Sequence, residues 1–276
     1  RIQLKQGCKK KKRIWIWCVV IIAIAVFCYY QNKHIVITNY EYCTSQVGKD
    51  FDGYKIVQLS DLHNAKFGKD NKRLLDKVMK CSPDMIVITG DIVDSRRMKT
   101  TLKLVGELVK LAPVYYVTGN HEYLIDEKDA EKLFQGMTDA GIRILKDETV
   151  GITKGGSSFL LVGLDDKSLA DDTLRTLIKD SRQMNVVLAH EPQHLQNYSV
   201  NGADLVLTGH AHGGQFRLPF IGGVIAPDQG FFPQYTSGKH VYGNTEMIIS
   251  RGIGNSVIPV RLFNYPEVVC VELKSK

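Results

Sequence analysis

The chain contains five short apolar runs rich in β-branched residues, and each run is followed by polar residues that can bind a metal ion. The runs cover residues 55–59, 85–89, 114–118, 186–188 and 205–208. Strands that are apolar throughout are covered on both faces of a sheet. In sheets of this kind, ligands bind beyond the carboxyl ends of the strands. The polar residues are therefore expected to converge on one site.

The polar residues that follow these runs carry oxygen and imidazole groups, and none of them is a cysteine. Their motifs are Asp-Leu-His at 61–63, Gly-Asp at 90–91, Gly-Asn-His-Glu at 119–122, His-Glu at 190–191 and Gly-His-Ala-His at 209–212. Such ligands suit Mn, Fe or Zn rather than a structural zinc site. Each ion needs about four protein ligands, and one carboxylate can bridge two ions about 3.5–4 Å apart. The pattern predicts two metal ions with a bridging hydroxide that hydrolyses phosphate esters.

This series of motifs resembles the calcineurin-like metallophosphoesterases, from Tyr54 to the end of the chain. The resemblance implies seven metal ligands in two sets that share a bridging carboxylate: Asp61, His63, His212 and Asp91 in one set, and Asn120, His190, His210 and Asp91 in the other. His121 corresponds to a histidine that binds no metal. In the family this side chain faces the phosphate, where it protonates the leaving oxygen or stabilises the transition state.

Helical patterns alternate with the apolar runs and predict a largely parallel α/β fold. We expect helices at residues 71–81, 100–111, 126–140 and 171–183. After residue 205 the helical signals fade, and short strands such as 246–250 and 267–273 are expected. The resemblance implies a four-layer α/β/β/α sandwich, in which two packed sheets are flanked by helices.

Several residues beside the predicted ligands are candidates for supporting roles. Glu122 and Glu191 each follow a site residue and could orient imidazoles, or they could be plain surface charges. The loop 213–239 is rich in Gly, Pro and aromatic residues, and Arg217 within it is predicted to contact the substrate phosphate. Alternatively, the loop packs its own aromatics over a sheet end, or it contacts a bilayer. The stretch 251–256 resembles a segment of the membrane-anchored YkuE/YaeI-like phosphodiesterase branch of the family.

The N-terminal part of the sequence predicts a membrane anchor. A basic tail at residues 1–13 precedes an uncharged apolar stretch at 14–30, long enough for a spanning helix. Residues 31–53 are predicted to form a stalk with a possible edge strand at 34–39, and residues 54–276 the catalytic domain. A cleaved signal peptide is the alternative, but bulky Phe27, Cys28 and Tyr29 stand where small residues would mark a cleavage site. Lipid modification of Cys28 is disfavoured because Phe27 precedes it.

The distribution of charge predicts the orientation of the helix and disfavours nucleic acid as a partner. Seven Lys or Arg precede the helix and only Lys33 directly follows it, so the N-terminus is expected in the cytoplasm and the domain outside. The net charge is +7, but the first 33 residues hold 8 of the 36 basic groups and no acid. The remainder has 28 basic and 29 acidic residues, a net charge of −1. No polyanion-binding surface is predicted for the domain, whereas the basic tail suits anionic lipid headgroups.

Together these features predict a membrane-anchored dinuclear phosphoesterase that acts on a phosphodiester or diphosphate, with a lipid or other cell-envelope component as a candidate substrate. An alternative is hydrolysis of UDP-2,3-diacylglucosamine in lipid A biosynthesis, although that nucleotide-linked precursor is cytoplasmic. A second alternative is a metal-bound binding scaffold without turnover. His121 argues against a scaffold, because a scaffold needs no phosphate-facing histidine.

Overall fold

Strands and helices alternate along the chain after one long N-terminal helix. The computed structural model describes residues 2–94, 98–169, 172–178, 183–255 and 258–276, with side chains from residue 13 onward. In these ranges the strands are β1 Val36–Thr44, β2 Lys55–Leu59, β3 Met85–Thr89, β4 Val114–Val117, β5 Arg143–Ile144, β6 Glu148–Lys154, β7 Ser157–Gly163, β8 Asn185–Leu188, β9 Leu205–Thr208, β10 Arg217–Leu218, β11 Gly222–Gly223, β12 Ile225–Ala226, β13 Gly230–Phe231, β14 Gly238–Tyr242, β15 Thr245–Ile249 and β16 Glu267–Ser275. The helices are α1 Ile2–Lys33, α2 Lys72–Cys81, α3 Met98–Leu108, α4 Glu127–Asp139, α5 Thr173–Leu177 and α6 Leu195–Val200.

The longer strands form two six-stranded sheets. The first sheet has the order β1-β16-β2-β3-β4-β5, and the second has the order β14-β15-β9-β8-β7-β6. Within these two sheets of the described residues, neighbouring strands are parallel except for three pairs: β16 with β2, β6 with β7, and β14 with β15. In both sheets the parallel strands that precede the predicted ligands lie side by side, so the largely parallel prediction is confirmed.

Three apolar cores separate four layers. The central core joins the inner faces of the two sheets, with Ile56, Val87 and Leu161 among its buried residues. A second core packs α2, α3 and α4 onto the outer face of the first sheet. A third core packs α5 and α6 onto the outer face of the second sheet. The α/β/β/α sandwich is therefore confirmed, and each buried strand is covered on both faces, as its apolar sequence predicted.

The predicted helices agree with the structure except in one region. Helices α2, α3 and α4 begin and end within three residues of the predicted bounds. The single helix predicted at 171–183 is wrong, because α5 covers only Thr173–Leu177 and Ile178 has an extended backbone with ψ of 98°. Its apolar residues Leu174 and Leu177 still pack on the third core, which a single helical turn is enough to achieve. Residues 170–171 and 179–182 lie outside the described ranges.

The segment predicted as a stalk contributes a full strand to the first sheet. β1 pairs in parallel with β16 along nine residues, from Val36 with Glu267 to Thr44 with Ser275. Buried Tyr42 and Val47 join the central core. The folded sheet therefore begins at Val36, well before the first metal-binding motif.

Helix α1 ends against the domain. Its part from Arg13 to Lys33 is 21 residues long, has a mean hydropathy of 2.1 and is almost entirely exposed. At its C-terminal end the ring of Phe27 lies 5.7 Å from that of Phe263, and Gln31 donates a hydrogen bond to the Tyr265 hydroxyl at 3.4 Å. The Asn255 amide donates to Asn32 Oδ1 at 2.7 Å. The helix is long and apolar enough to cross a bilayer, and its last two turns contact the folded domain.

The central core should dominate the stability of the domain. We expect Leu161→Ala to lower the free energy of unfolding by about 2–5 kcal/mol, because it leaves a cavity between the two sheets. Leu124, with 73% of its surface exposed, provides the control, and Leu124→Ala should cost less than about 0.5 kcal/mol. Urea unfolding followed by circular dichroism measures both values. Equal losses would contradict this assignment of the core.

Candidate metal centre

The predicted ligands meet where the carboxyl ends of the two sheets face each other. Asp61, Asp91 and Asn120 follow β2, β3 and β4 of the first sheet. His190 and His210 follow β8 and β9 of the second sheet. Because both sheets contribute ligands, the site lies between the carboxyl-end edges of the two sheets. His210 N–H donates to both carboxylate oxygens of Asp61, at 3.0 and 3.2 Å, and this contact joins the two sheets directly.

One group of side chains consists of Asp61, His63, Asp91 and His212, all buried, with ligand atoms within 4.8 Å of one another. The Nε2 atoms of His63 and His212 lie 3.1 Å apart. His63 Nε2 lies 3.6 Å from Asp91 Oδ2, and His212 Nε2 lies 3.5 Å from Asp61 Oδ1. These four side chains form the first of the two sets that the sequence predicted.

The second group consists of Asp91, His190 and His210, also buried and within the same 4.8 Å limit. His190 Nε2 lies 3.3 Å from Asp91 Oδ2 and 3.1 Å from His210 Nδ1. Asn120 completes the group, because its Oδ1 lies 3.2 Å from His190 Nε2. Asp91 belongs to both groups, as expected for a bridging carboxylate.

The chemistry of these donors fits divalent cations. Imidazole nitrogens face each other and face carboxylates at distances that a cation between them would stabilise. Burial lowers the pKa of His63 to about 3 and also lowers that of His212, so both rings are neutral and keep a lone pair for a cation. The Nδ1 atoms of both rings are buried and have no hydrogen-bond partner among the described residues. The donors are oxygen and nitrogen only, a set that suits Mn, Fe or Zn.

The backbone of the site is unusual, because five of the seven predicted ligands have positive φ angles. The values lie between 43° and 65° for Asp61, His63, Asp91, His210 and His212. L-residues rarely adopt this left-handed conformation, which is found at functional sites when the surrounding structure enforces it.

Glu122 supports the site through the backbone rather than through an imidazole. Its buried carboxylate accepts hydrogen bonds from the N–H groups of Asp91 at 2.9 Å, Ile92 at 2.8 Å and Gly119 at 2.8 Å. The prediction that Glu122 orients a histidine is therefore wrong; it fixes the two loops that carry Asp91 and Asn120. Glu191 lies near His210 and Asp228 and pairs with His194 at 3.1 Å.

A supporting residue that the sequence did not reveal is Asp228. Its Oδ2 lies 2.8 Å from His210 Nε2, so it accepts that proton and leaves Nδ1 free to face the metal centre. Asp228 lies in the Gly- and Pro-rich loop 213–239 after the last ligand, for which a substrate-binding role was one of three alternatives. The pairing with His210 could not be read from the sequence, because 18 residues and a loop of irregular shape separate the two.

Arg217 and Arg261 both bind backbone carbonyls beside the centre. Arg217 is half-buried and donates to the Gly213 carbonyl at 2.8 Å, directly after His212. Its predicted contact with substrate stays a prediction. Arg261 is fully buried and donates to the Arg251 carbonyl at 2.8 Å and to that of Gly254. Gly254 N–H in turn donates to Asp61 O at 2.7 Å, so Arg261 shapes a loop that covers the first ligand.

His121 lies beside the shared carboxylate and remains partly accessible. Its Nε2 is 4.0 Å from Asp91 Oδ2, its ring packs edge-on against His63, and 18% of its side chain is exposed. Its backbone N–H donates to Asp91 Oδ1 at 2.9 Å. The side chain can therefore reach a molecule that enters the centre from solvent.

Asp228 should affect metal binding without being a ligand itself. We expect Asp228→Ala to weaken metal affinity by about 10–100-fold, because His210 loses the partner that fixes its tautomer. Competition with a chelator, using Mn²⁺, measures this change. Glu148→Ala removes an exposed carboxylate from strand β6 and is the matched control. Unchanged affinity in Asp228→Ala would contradict the role of this contact.

Comparisons with known proteins identify the family. Residues 54–214 match the calcineurin-like phosphoesterase family. The chain is 31% identical over 257 residues to the metallophosphoesterase YkuE of Bacillus subtilis, covering 89% of this chain and 88% of that protein. It is 29% identical over 226 residues to the phosphodiesterase YaeI of Escherichia coli, covering 80% and 82%. A transmembrane protein with a metallophosphoesterase domain from Danio rerio is 26% identical over 257 residues, covering 86% of this chain and 57% of that protein. With this match and the buried Asp and His groups at the sheet ends, the chain belongs to the calcineurin-like phosphoesterases and is a metal-dependent phosphoester hydrolase.

Proposed function

We propose that the protein is a membrane-anchored phosphodiesterase with two divalent metal ions. The observation that carries the dinuclear assignment is that two groups of buried ligand atoms share the Asp91 carboxylate. Asp61, His63 and His212 would hold one ion, and Asn120, His190 and His210 the other. When bound, the ions supply Lewis acidity, which neutralises charge on the phosphoryl oxygens and lowers the pKa of solvent.

The protein sets the protonation of its own ligands through contacts behind them. His190 Nδ1 lies 2.8 Å from the Thr89 carbonyl, which can only accept, so Nδ1 carries a proton and Nε2 is the nitrogen that faces the centre. His210 has the opposite arrangement, with its proton on Nε2 toward Asp228 and its Nδ1 lone pair toward the centre. Burial alone would raise the pKa of the Asp91 carboxyl, but the neighbouring imidazoles, chiefly His190, hold it below its usual range. Asp91 is therefore ionised and can serve as a bridge.

His121 is proposed as the catalytic residue that handles the proton of the leaving group. It is partly exposed, and it lies against the ligand set without belonging to either buried group. An imidazole can hold a proton near neutral pH and donate it to the leaving oxygen in the transition state. Its backbone N–H donates a hydrogen bond to Asp91 Oδ1, which keeps His121 beside the shared carboxylate.

A diester or diphosphate substrate is proposed over a simple monoester. The relative YaeI is named a phosphodiesterase, and it aligns with 80% of this chain. The loop 213–239 follows the ligand His212 directly, and it exposes Phe220, Phe231 and Phe232. Apolar side chains of this kind would suit a substrate with a large organic group on the far side of the phosphate. Arg217 could approach the phosphate oxygens from the same loop.

The anchor is proposed to be helix α1 with its N-terminus in the cytoplasm. The exposure of its apolar side chains argues against a core helix of a soluble protein, because such a helix would be buried. The zebrafish relative is named a transmembrane protein. Seven cations precede the apolar part and Lys33 ends it, which favours an extracytoplasmic domain.

Two substitutions separate metal binding from proton transfer. Asp91→Asn should abolish hydrolysis together with the loss of bound metal, because the bridge loses its charge. His121→Ala should lower kcat by about 10²–10⁴-fold while metal content stays at the wild-type level. Metal analysis and steady-state kinetics on the same samples give both results. His240 of strand β14 belongs to neither ligand group, so His240→Ala is the control. Wild-type rates in His121→Ala would exclude the catalytic assignment.

A substrate panel tests the proposed reaction itself. The full chain in neutral detergent, reconstituted with Mn, Fe or Zn in turn, should hydrolyse an aryl phosphodiester or a lipid-linked diphosphate faster than an aryl monoester. The panel is compared by kcat/KM. A preference for the monoester would contradict the proposed substrate class. No turnover of any substrate by metal-loaded protein would instead favour a binding scaffold.

A further inference from the structure

A basic pocket lies beside the end of helix α1, and none of its lining residues is a predicted metal ligand. It is an open pocket of about 420 Å³ between the loop that precedes α2 and the start of α3. Its cationic lining residues are Lys66, Lys69, Lys99 and Lys103. We call this feature the juxtamembrane basic pocket. The family function gives these four lysines no role, since they contribute nothing to the two groups of metal-binding side chains.

The positive charge of the juxtamembrane basic pocket is largely uncompensated. Asp70 is the one carboxylate among its described lining residues, and its Oδ1 is paired with Lys103 Nζ at 2.7 Å. In the part of the chain that the structure describes, no carboxylate lies within 4.0 Å of the amino groups of Lys66, Lys69 or Lys99. Several adjacent cations without matching anions form a site for an anionic ligand.

Direct contacts connect the pocket to the last residue of the apolar helix. Lys33 Nζ donates to the Lys66 carbonyl at 3.0 Å and lies 5.2 Å from the centre of the Phe67 ring. Arg73 donates to the Lys33 carbonyl at 2.9 Å. Exposed Tyr29 and Tyr30 precede this junction by one turn, where aromatic residues mark a membrane interface. In the proposed anchoring, a headgroup layer about 5–7 Å thick would begin at this junction, on the side where the helix contacts Lys66.

The loop that carries two of the lysines has a fixed conformation. Asn71 is buried, and its Oδ1 accepts a hydrogen bond from Phe67 N–H at 2.8 Å. Phe67 itself is buried in the core beneath α2 and α3. Asp70 and Asn71 both have positive φ angles, of 52° and 58°. The backbone therefore holds Lys66 and Lys69 at defined places on either side of a buried aromatic anchor.

We propose that the juxtamembrane basic pocket binds the phosphate of an anionic phospholipid headgroup, in the leaflet where helix α1 meets the domain. The inference rests on the proposed membrane anchoring and adds to it a lipid-binding site separate from the metal centre. Lysine ammonium groups are compact donors that suit the single charge of a phosphodiester headgroup. A lipid held there would fix the height and tilt of the domain above the bilayer.

Binding of short-chain lipids to the full chain tests the proposal. The protein in neutral detergent is titrated with dihexanoyl phosphatidylglycerol, dihexanoyl phosphatidylcholine and glycerol 3-phosphate, and dissociation constants are measured by thermophoresis at low salt. We expect the phosphatidylglycerol to bind at least about tenfold more tightly than either other probe, and to weaken as salt is added. Equal binding of glycerol 3-phosphate would overturn the assignment to a lipid, because the pocket would then bind free phosphate esters.

Matched variants assign the binding to this pocket. Lys66→Gln, Lys69→Gln and Lys99→Gln combined should weaken phosphatidylglycerol binding by about tenfold or more. The control combines Lys49→Gln, Lys80→Gln and Lys128→Gln, which remove the same charge from exposed lysines elsewhere. Wild type and both triple variants all contain the basic run at residues 9–13, so its contribution to lipid binding is the same in each. Equal affinities of wild type and the pocket variant would overturn the proposal. If the triple variant unfolds at a lower temperature, Lys99→Gln alone replaces it.

A separate measurement distinguishes failure of the pocket from failure of the anchor. Membranes that contain the wild-type protein are extracted with alkaline carbonate, which leaves a spanning protein in the pellet. Release of the protein would contradict the proposed anchoring, while the detergent titration would still decide whether the pocket binds lipid. Retention in the pellet together with equal affinities of the variants would leave the anchor intact and exclude the pocket.

Discussion

The Asp91 carboxylate is the interaction on which the rest of the site depends. One oxygen accepts the His121 N–H at 2.9 Å, and the other lies 3.3 Å from His190 and 3.6 Å from His63. A single side chain therefore fixes the distance between the two ligand groups and the place of the proposed proton donor. Burial would make an isolated carboxylate costly here, and the surrounding imidazoles offset that cost. Glu122 accepts a hydrogen bond from the backbone N–H of Asp91, so a second buried carboxylate helps to set the position of Asp91.

The sandwich of two sheets makes this arrangement possible. Gln58 of β2 donates to the Thr89 hydroxyl at 2.9 Å in its own sheet and to the Thr208 carbonyl at 2.8 Å in the other sheet. His190 of the second sheet contacts the Thr89 carbonyl of the first. These polar contacts join the two sheets between the central apolar core and the ligands. The strain of the left-handed residues at the strand ends is sustained because rigid sheets lie directly beneath them.

One physical rule predicted the largely parallel strands and the convergence of the site residues, while the four-layer sandwich and the two ligand sets came from the family resemblance. Apolar runs had to be buried strands, and residues after parallel strands meet at one edge, so Asp61, Asp91, Asn120, His190 and His210 could be grouped without a structure. The helix at 171–183 was predicted from periodicity alone, and that prediction was wrong. Sequence reasoning also failed where the role of a residue depends on an irregular loop or on backbone contacts, as for Asp228 and Glu122. Contacts of that kind follow no sequence periodicity and no fixed spacing, so no sequence pattern reveals them.

The sequence by itself determined the chemical nature of the site, because the donor types and their order after the strands allow only oxygen and nitrogen ligands at the sheet ends. It also determined that the apolar stretch before residue 31 must avoid water, by burial or in a membrane. Only the tertiary structure decided which nitrogen of each histidine faces the centre, that Asp228 pairs with His210, and that lysines 33 residues and more beyond Lys33 gather beside the end of α1. These features depend on distances between residues far apart in the chain, and packing alone sets such distances.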